Sequence, residues 1–380
     1  MASMIEGKRG FATIWRLLTA AVGVKVVRSA VTQRFGVGSA QMMQELFTRV
    51  VAQIPQFQCP EMLDKLEKFR AVLANDGTVI TLSPVLKKLF PSTRTNSVDA
   101  AGKLHMTADV ARRQIVCLEF TGERESELKV VREQGIISGV LYLGDLGYNC
   151  YDYFWEIIAG NADLTFRMKA NANPTIKKIR RGIRRPKFVV QEGLKFQDPQ
   201  VQYTQCDSIF DLDAEFSTKY GPIVLRVVGC YNRETDKYHC YLTTLRPEDF
   251  TPEEIATIYS RRWELELIFK LLKSSCHLDH VDTSDPEALR THIYASLLGA
   301  VILTSLCKAA SDVYEIPISE LSTLVVGIAA PMIALPLLFL WCKKKLTREE
   351  LADSIMRVIA FGCADQNRNR TRKKWNKLQS

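Results

Sequence analysis

The stretch Thr251–Cys276, TPEEIATIYSRRWELELIFKLLKSSC, decides how the rest of the chain is read. It predicts one long helix. Pro252 suits a first helical position, Thr251 can cap it, and Glu253 and Glu254 complement the positive end of the helix dipole. Tyr259, Arg262, Glu266 and Lys273 recur at i, i+3, i+7 and i+14, so at about 100° per residue they fall within an arc of roughly 60°. Ile258, Leu265, Ile268, Phe269 and Leu272 occupy a neighbouring arc that can bury. The helix therefore presents a Tyr, an Arg, a carboxylate and a Lys side by side. On an anonymous helix such a stripe is a solvated salt-bridge ladder of little consequence. The alternative is a carboxylate that holds a divalent cation while Arg and Lys grip phosphates beside it. Partner carboxylates elsewhere decide between the two.

The pattern Y-x-x-R-x-x-x-E-x-x-x-x-x-x-K, met here by Tyr259, Arg262, Glu266 and Lys273, resembles the YREK motif of the bacterial insertion-sequence transposases of family four. These are DDE enzymes with a ribonuclease H-like core. Trp263, directly after the Arg, resembles a position where some members carry Trp. In that family the first catalytic Asp lies on the first core strand in a D-[GS]-T context, which Asp76-Gly77-Thr78 matches. The second lies in D-x-G-[YF], which Asp145-Leu146-Gly147-Tyr148 matches. Read alone, Asn75-Asp76-Gly77-Thr78 is a hairpin turn, and Asp145, after the apolar run Val140–Leu143 and before a helix from about Tyr151, is a turn or capping residue. With the resemblance, the apolar residues on both sides of Asp76 belong to one central strand. Asp109 is a rival first Asp without the D-G-T context.

What the resemblance implies is a fold and a mechanism. The fold is α/β: a ribonuclease H-like mixed sheet flanked by helices, with a β-rich insertion and helical N- and C-terminal regions. Asp76, Asp145 and Glu266 would converge to bind two Mg²⁺ (or Mn²⁺) ions. Arg262 and Lys273 would clamp phosphates, and Tyr259 and Trp263 would hold a flipped or distorted base. Arg167 and Lys169, in DLTFRMK, could face DNA. The partners would be double-stranded DNA, namely terminal inverted repeats and target, and a second copy of the chain assembled on DNA.

Composition bounds this reading without naming it. The chain has 380 residues, 47% hydrophobic and 24% charged, with a net charge of +9. That is globular and long enough for two or three domains, and its basic balance suits an anionic partner. Its ten cysteines are scattered with no C-x-x-C pair. Together with an N-terminus lacking an apolar leader core, this leads to an expectation of reduced thiols and a cytoplasmic, nucleoid-associated protein. Neither a P-loop nor G-x-G-x-x-G is present, so no nucleotide cofactor is expected.

The remaining chain divides as follows. Residues 1–65 read as helical, with basic residues from Lys8 to Arg49, and are expected to bind DNA ends. The catalytic core is expected over 66–170 and 251–310. The core strands include KLHMTADV and RRQIVCLEF, and a short helix spans Arg124 to Gln134. Residues 171–250 form the β-rich insertion, opening with the basic run TIKKIRRGIRRPK as a phosphate-binding arm. Residues 311–380 form a helical C-terminal region with a basic tail. Cys276, His277 and His280 lack a second ligand pair at zinc-finger spacing. Leu324–Cys342 is an uncharged run followed by Lys343-Lys344-Lys345 that meets the criterion for a membrane helix, but Pro331 and Pro336 interrupt it, and burial behind the core is expected instead. Two other readings stand beside the transposase: a DNA-binding protein derived from such an enzyme but without catalysis, and a membrane-associated protein with a basic soluble domain.

Overall fold

Ala71–Leu82 forms a single twelve-residue strand, β1, that runs straight through the Asn75-Asp76-Gly77-Thr78 segment. The hairpin reading of that segment is therefore excluded: Asp76 stands opposite Met106, and Gly77 opposite His105, in an unbroken antiparallel ladder. The computed structural model describes residues 33–53, 64–93, 98–112, 114–181, 192–198, 209–232, 237–274, 283–317 and 343–362, with 27, 29, 278, 280–281, 320–321, 325–326 and 340–341 in addition.

In chain order the main elements are α1 (Val37–Gln53), β1, β2 (Ala100–Asp109), β3 (Gln114–Gly122), α2 (Glu127–Glu133), β4 (Val140–Gly144), α3 (Tyr151–Ala159), β5 (Asp163–Arg167), β6 (Thr175–Arg181), β7 (Phe210–Thr218), β8 (Gly221–Asn232), β9 (Lys237–Thr243), α4 (Pro252–Ser260), α5 (Trp263–Ser274), β10 (His280–Val281), α6 (Pro286–Val313) and α7 (Arg348–Gly362). Among the described residues the strands form one sheet in the order β3-β2-β1-β4-β5-β9-β8-β7-β6, with β10 added beside β1. β1, β2 and β3 are antiparallel, whereas β4 lies parallel to β1 and β5 parallel to β4. This mixed sheet, flanked by helices, is a ribonuclease H-like α/β arrangement.

The two faces of the sheet bury different residues of the same strands, as a sheet covered on both sides requires. Ala74, Ile80, Leu82, Leu141 and Leu143 pack with α4, α5 and α6. Leu73, Val140, Tyr142 and Leu164 pack with α2, α3 and the inward residues of β7 to β9. β4 is buried over its whole length, which explains its run of apolar residues. Strand alternation then fixes that Asp76, two positions from Ala74, faces α4 and α5, while Gly77 faces α2.

Asp109 has a structural role. It is buried, its Oδ2 pairs with Arg112 Nη1 at 2.6 Å, and its Oδ1 accepts from the amides of Ala111 and Arg112, so it fastens the β2–β3 turn. The β-rich segment is not a separate sheet. β9 pairs with β5, so β6 to β9 continue the same sheet. A buried bidentate pair, Arg226 to Asp211 at 2.7 and 2.9 Å, anchors this extension, and Arg226 Nη1 also donates to the carbonyls of Leu245 and Phe250 just before α4. Within the basic run, Lys177, Arg180 and Arg181 pair with Glu215, Asp213 and Glu253, and Lys178 is exposed; residues 182–187 lie outside the described residues.

The stretch expected to be one helix is two. α4 starts in a complete capping box, with Thr251 Oγ1 accepting from the Glu254 amide at 3.2 Å and Glu254 Oε2 accepting from the Thr251 amide at 2.8 Å. It ends at Ser260. The amides of Arg261, Arg262, Glu264 and Leu265 then each bond three residues back, at 3.0 to 3.1 Å, so the chain tightens through one turn before α5 begins.

α1 packs on α6, with Ser39 Oγ 3.1 Å from Thr291 Oγ1 and the rings of Phe47 and Tyr294 6.1 Å apart. α7 docks on the end of α6 through Tyr314 and Asp353. Among the described residues α6 is the one helix long and apolar enough to cross a membrane, and Leu289, Ile293, Leu297 and Ala300 on it are part of the core. The run 324–342 lies outside the described residues apart from 325–326 and 340–341, as do the tail from 363, residues 275–277 and the side chain of His280.

Candidate active site

The last paired residues of β1 and β4 are Asn75 and Gly144. Asp76 and Asp145 come directly after them, where the two strands part, so adjacent parallel strands deliver both carboxylates to one place. The first turn of α5 supplies the third, Glu266, and the tight turn before it supplies Arg262. Arg262 Nη1 lies 3.2 Å from Asp76 Oδ2, and Arg262 Nη2 lies 2.7 Å from Glu266 Oε1. Tyr259 donates its hydroxyl to Asp145 Oδ1 at 3.2 Å. Three acids spread over 190 positions of the chain thus share one cluster with a Tyr and an Arg.

Burial governs the electrostatics. The Arg262 side chain is 10% exposed and that of Asp76 20%. Burial pushes the Asp76 carboxyl up from 3.8 to about 6; the Gly77 amide and Arg262 oppose the shift, and the negative charges of Glu266 and Asp145 add to it. Burial likewise pushes Tyr259 up to about 12, so its phenol remains a neutral donor to Asp145. The Tyr259 ring is in turn packed at 4.9 Å from the ring of Tyr241.

Among the described residues no group of three or more His, Cys, Asp or Glu side chains is arranged to hold a metal ion as it stands. The Arg262 guanidinium lies between Asp76 and Glu266 and occupies the position of a shared counter-charge. The donor chemistry nonetheless fits a hard divalent cation. It consists of carboxylate oxygens, and Asp76 is a largely buried carboxylate, with Glu266 and Asp145 close enough for their charges to act on it.

The other residues singled out by sequence divide. Trp263 is 59% exposed, which rules out core packing and leaves its indole free at the surface beside Arg262. Arg167 ends β5 opposite Tyr241, close enough for its charge to act on Tyr259. Lys169 donates to the carbonyl of Asn149 at 3.1 Å, and so ties down the loop that follows Asp145. Lys273 is half-buried in the last turn of α5, and the rise of an α-helix places it about 10 Å beyond Glu266. Direct contacts join Asp76, Glu266 and Arg262, and Asp145 with Tyr259, in one short-range cluster, and Lys273 lies about two helical turns further along α5. Glu127 was not legible as part of this neighbourhood.

One test follows from the position of Asp76. Its folded-state pKa lies above that of the unfolded chain, so its contribution to stability is complete below about pH 4 and is lost as the pH rises through about 6. A bound cation must displace that proton at low pH and offsets the charge at high pH. We expect Mn²⁺ to raise the thermal midpoint clearly at pH 7.5 and scarcely at pH 5, with apparent affinity falling about tenfold per pH unit below about pH 6. A Mn²⁺ shift independent of pH over that range would count against Asp76 as a ligand.

A ribonuclease H-like sheet whose parting strands and following helix bring together two aspartates and a glutamate defines the class of protein. The chain belongs to the transposase DDE domain family, whose model matches residues 67–302. It is 34% identical over 87 residues to the putative transposase InsL for insertion sequence element IS186A of Escherichia coli K12, a match covering 23% of this chain and 24% of that protein. It is 19% identical over 325 residues to the transposase for insertion sequence element IS231F of Bacillus thuringiensis subsp. israelensis, covering 76% of this chain and 67% of the relative. A similar match, 19% over 335 residues, covers 78% of this chain and 70% of the transposase for IS1151 of Clostridium perfringens. Among solved structures, the piggyBac transposase synaptic complex with hairpin DNA aligns at 10% identity with a TM-score of 0.39, over 76% of this chain and 57% of that one.

Proposed function

We propose that the chain is a DDE transposase of the YREK group, which cuts DNA at the ends of an insertion sequence and transfers the cut strand into target DNA. The observation that carries this reading is the convergence of Asp76 and Glu266 on buried Arg262, with Asp145 held beside them by Tyr259. Asp76, Asp145 and Glu266 would hold the divalent cations, two Mg²⁺ or Mn²⁺ ions by the family resemblance. When bound, such ions supply activation of a water or DNA 3′-hydroxyl and stabilisation of the leaving oxygen.

The chain's own residues do the rest. Tyr259 fixes the rotamer of Asp145. Arg262, buried and always charged, offers a planar fork to a phosphate once it leaves the carboxylates. Trp263 presents an open aromatic face on which an unpaired base can stack, and Arg167 and Lys273 extend the positive surface on either side. The partners are double-stranded DNA and a second copy of the chain assembled on it, and the place of action is the bacterial cytoplasm at the nucleoid.

The test is a cleavage assay on oligonucleotides carrying the element's own inverted repeats. We expect Mg²⁺-dependent cuts at the element end that leave 3′-hydroxyls. Tight end binding with no cut in either Mg²⁺ or Mn²⁺ would favour the non-catalytic DNA-binding reading instead.

A further inference from the structure

Both candidate aspartates are followed by glycine, at Gly77 directly and at Gly147 two residues on, and one side chain lies against both. A Cβ on Gly77 would lie 3.0 Å from Glu127 Oε1, and a Cβ on Gly147 would lie 3.4 Å from Glu127 Oε2. The Glu127 carboxylate, from the first turn of α2, therefore lies against the backbone immediately after each aspartate. It does so just past Asn75 and Gly144, where β1 and β4 cease to pair.

This carboxylate is held from two further sides. Lys103 Nζ, on β2, approaches Glu127 Oε1 at 3.3 Å, with the lysine side chain only 15% exposed. The Tyr148 side chain, from the turn after Asp145, lies beside Glu127; it is 2% exposed, and burial first, then the charges of Glu127 and Asp76, keep the phenol protonated. Lys103 also donates to the carbonyl of Glu125, which secures the start of α2.

We propose that Glu127 is a positioning residue of the active site: with Lys103 and Tyr148, it sets the spacing between the backbone that carries Asp76 and the backbone that carries Asp145. The proposal rests on the reading of those aspartates as cation ligands. Pairing between β1 and β4 stops before either aspartate, so that ladder alone does not fix their separation. A wedge paired with a lysine and flanked by a buried tyrosine does. A Cβ at position 77 would press on the wedge, whereas one at 147 would meet it only at ordinary contact distance.

The test is Mn²⁺ binding to the DNA-free full chain, measured by electron paramagnetic resonance, on Glu127→Ala, Glu127→Gln, Gly77→Ala, the Gly77→Ala/Glu127→Ala pair and Asp76→Asn. Supporting groups of this kind typically alter metal affinity about 10- to 100-fold. We expect Glu127→Ala to weaken Mn²⁺ binding by at least about tenfold, and Glu127→Gln, which keeps the outline of the wedge, to recover most of that loss. Gly77→Ala should weaken binding similarly, and the double variant should bind no worse than either single one, because the two changes relieve the same contact.

Wild-type Mn²⁺ affinity in Glu127→Ala, with binding lost in Asp76→Asn, overturns the positioning role alone. Wild-type affinity in both removes the carboxylate site and the positioning role together. A change in thermal midpoint without any change in Mn²⁺ affinity also overturns it.

Discussion

Alanine at Asp76, Asp145 or Glu266 is expected to lower strand cleavage by roughly 10³-fold or more, while binding to the element ends stays within a few-fold of wild type. The three losses should be similar, and double variants should be scarcely worse than single ones. Groups that hold the same cations act as a unit, so removing one forfeits most of what all supply. End binding should survive because phosphate contacts by Lys and Arg carry most DNA affinity, and none of the three acids contributes to that. The variants should differ in a second respect. Asp145→Ala strands the Tyr259 hydroxyl, Glu266→Ala frees one side of Arg262, and Asp76→Ala removes a carboxylate whose burial already penalises its charge. Asp76→Asn, which keeps the shape, should therefore hold its midpoint at pH 8 better than the other two while losing cleavage just as fully. Cleavage within tenfold of wild type in any one variant would remove that residue from the site.

The parts of this arrangement that were legible in the sequence are those set by local rules. The apolar residues flanking Asn75-Asp76-Gly77-Thr78 suit a strand as well as a hairpin, and the D-G-T resemblance decided for the strand that is observed. Val140–Leu143, apolar throughout, gave a doubly covered strand with Asp145 at its end. Thr251 gave the cap, and Glu254 completes it. What was not legible depends on long-range or sub-helical geometry. A period of 3.6 residues cannot register a switch to bonds three residues back, so Arg261 and Arg262 read as mid-helix when they form a tight turn.

The same limit hid the bridge from Arg262 to Asp76, which sequence spacing cannot express. The pairing of β9 with β5 joins segments about 75 residues apart, as the Arg167–Tyr241 register shows, and the short β-rich runs of 187–245 carry no signal for which strand they extend. Glu127 sits in Glu-Arg-Glu-Ser-Glu at a helix start, where acids are ordinary complements of the dipole. The signal that could have found it was the glycine following each aspartate.

Arg262→Gln should move two measurements in opposite directions, and this separates its two duties. In the DNA-free protein the guanidinium lies between Asp76 and Glu266 at 3.2 and 2.7 Å, and it neutralises the charges that a cation would otherwise meet. A cation entering there must displace it. At an effective dielectric constant of about 20, a unit charge about 4 Å away amounts to some 4 kcal/mol before the arginine relaxes, so a net gain of one to two decades in Mn²⁺ affinity is a moderate expectation for the neutral variant. Once cations hold the carboxylates, the released fork is free to grip a phosphate by a charged bidentate contact that glutamine cannot make. Cleavage and the lifetime of the cut complex should therefore fall by about 10²-fold in the same variant that binds Mn²⁺ more tightly. Arg262→Lys should recover part of the metal-free stability but little of the cleavage, because a point charge replaces the fork. Equal weakening of Mn²⁺ binding and of cleavage in Arg262→Gln would mean that the arginine supports the carboxylates rather than competing with the cation, and the exchange of partners would have to be abandoned.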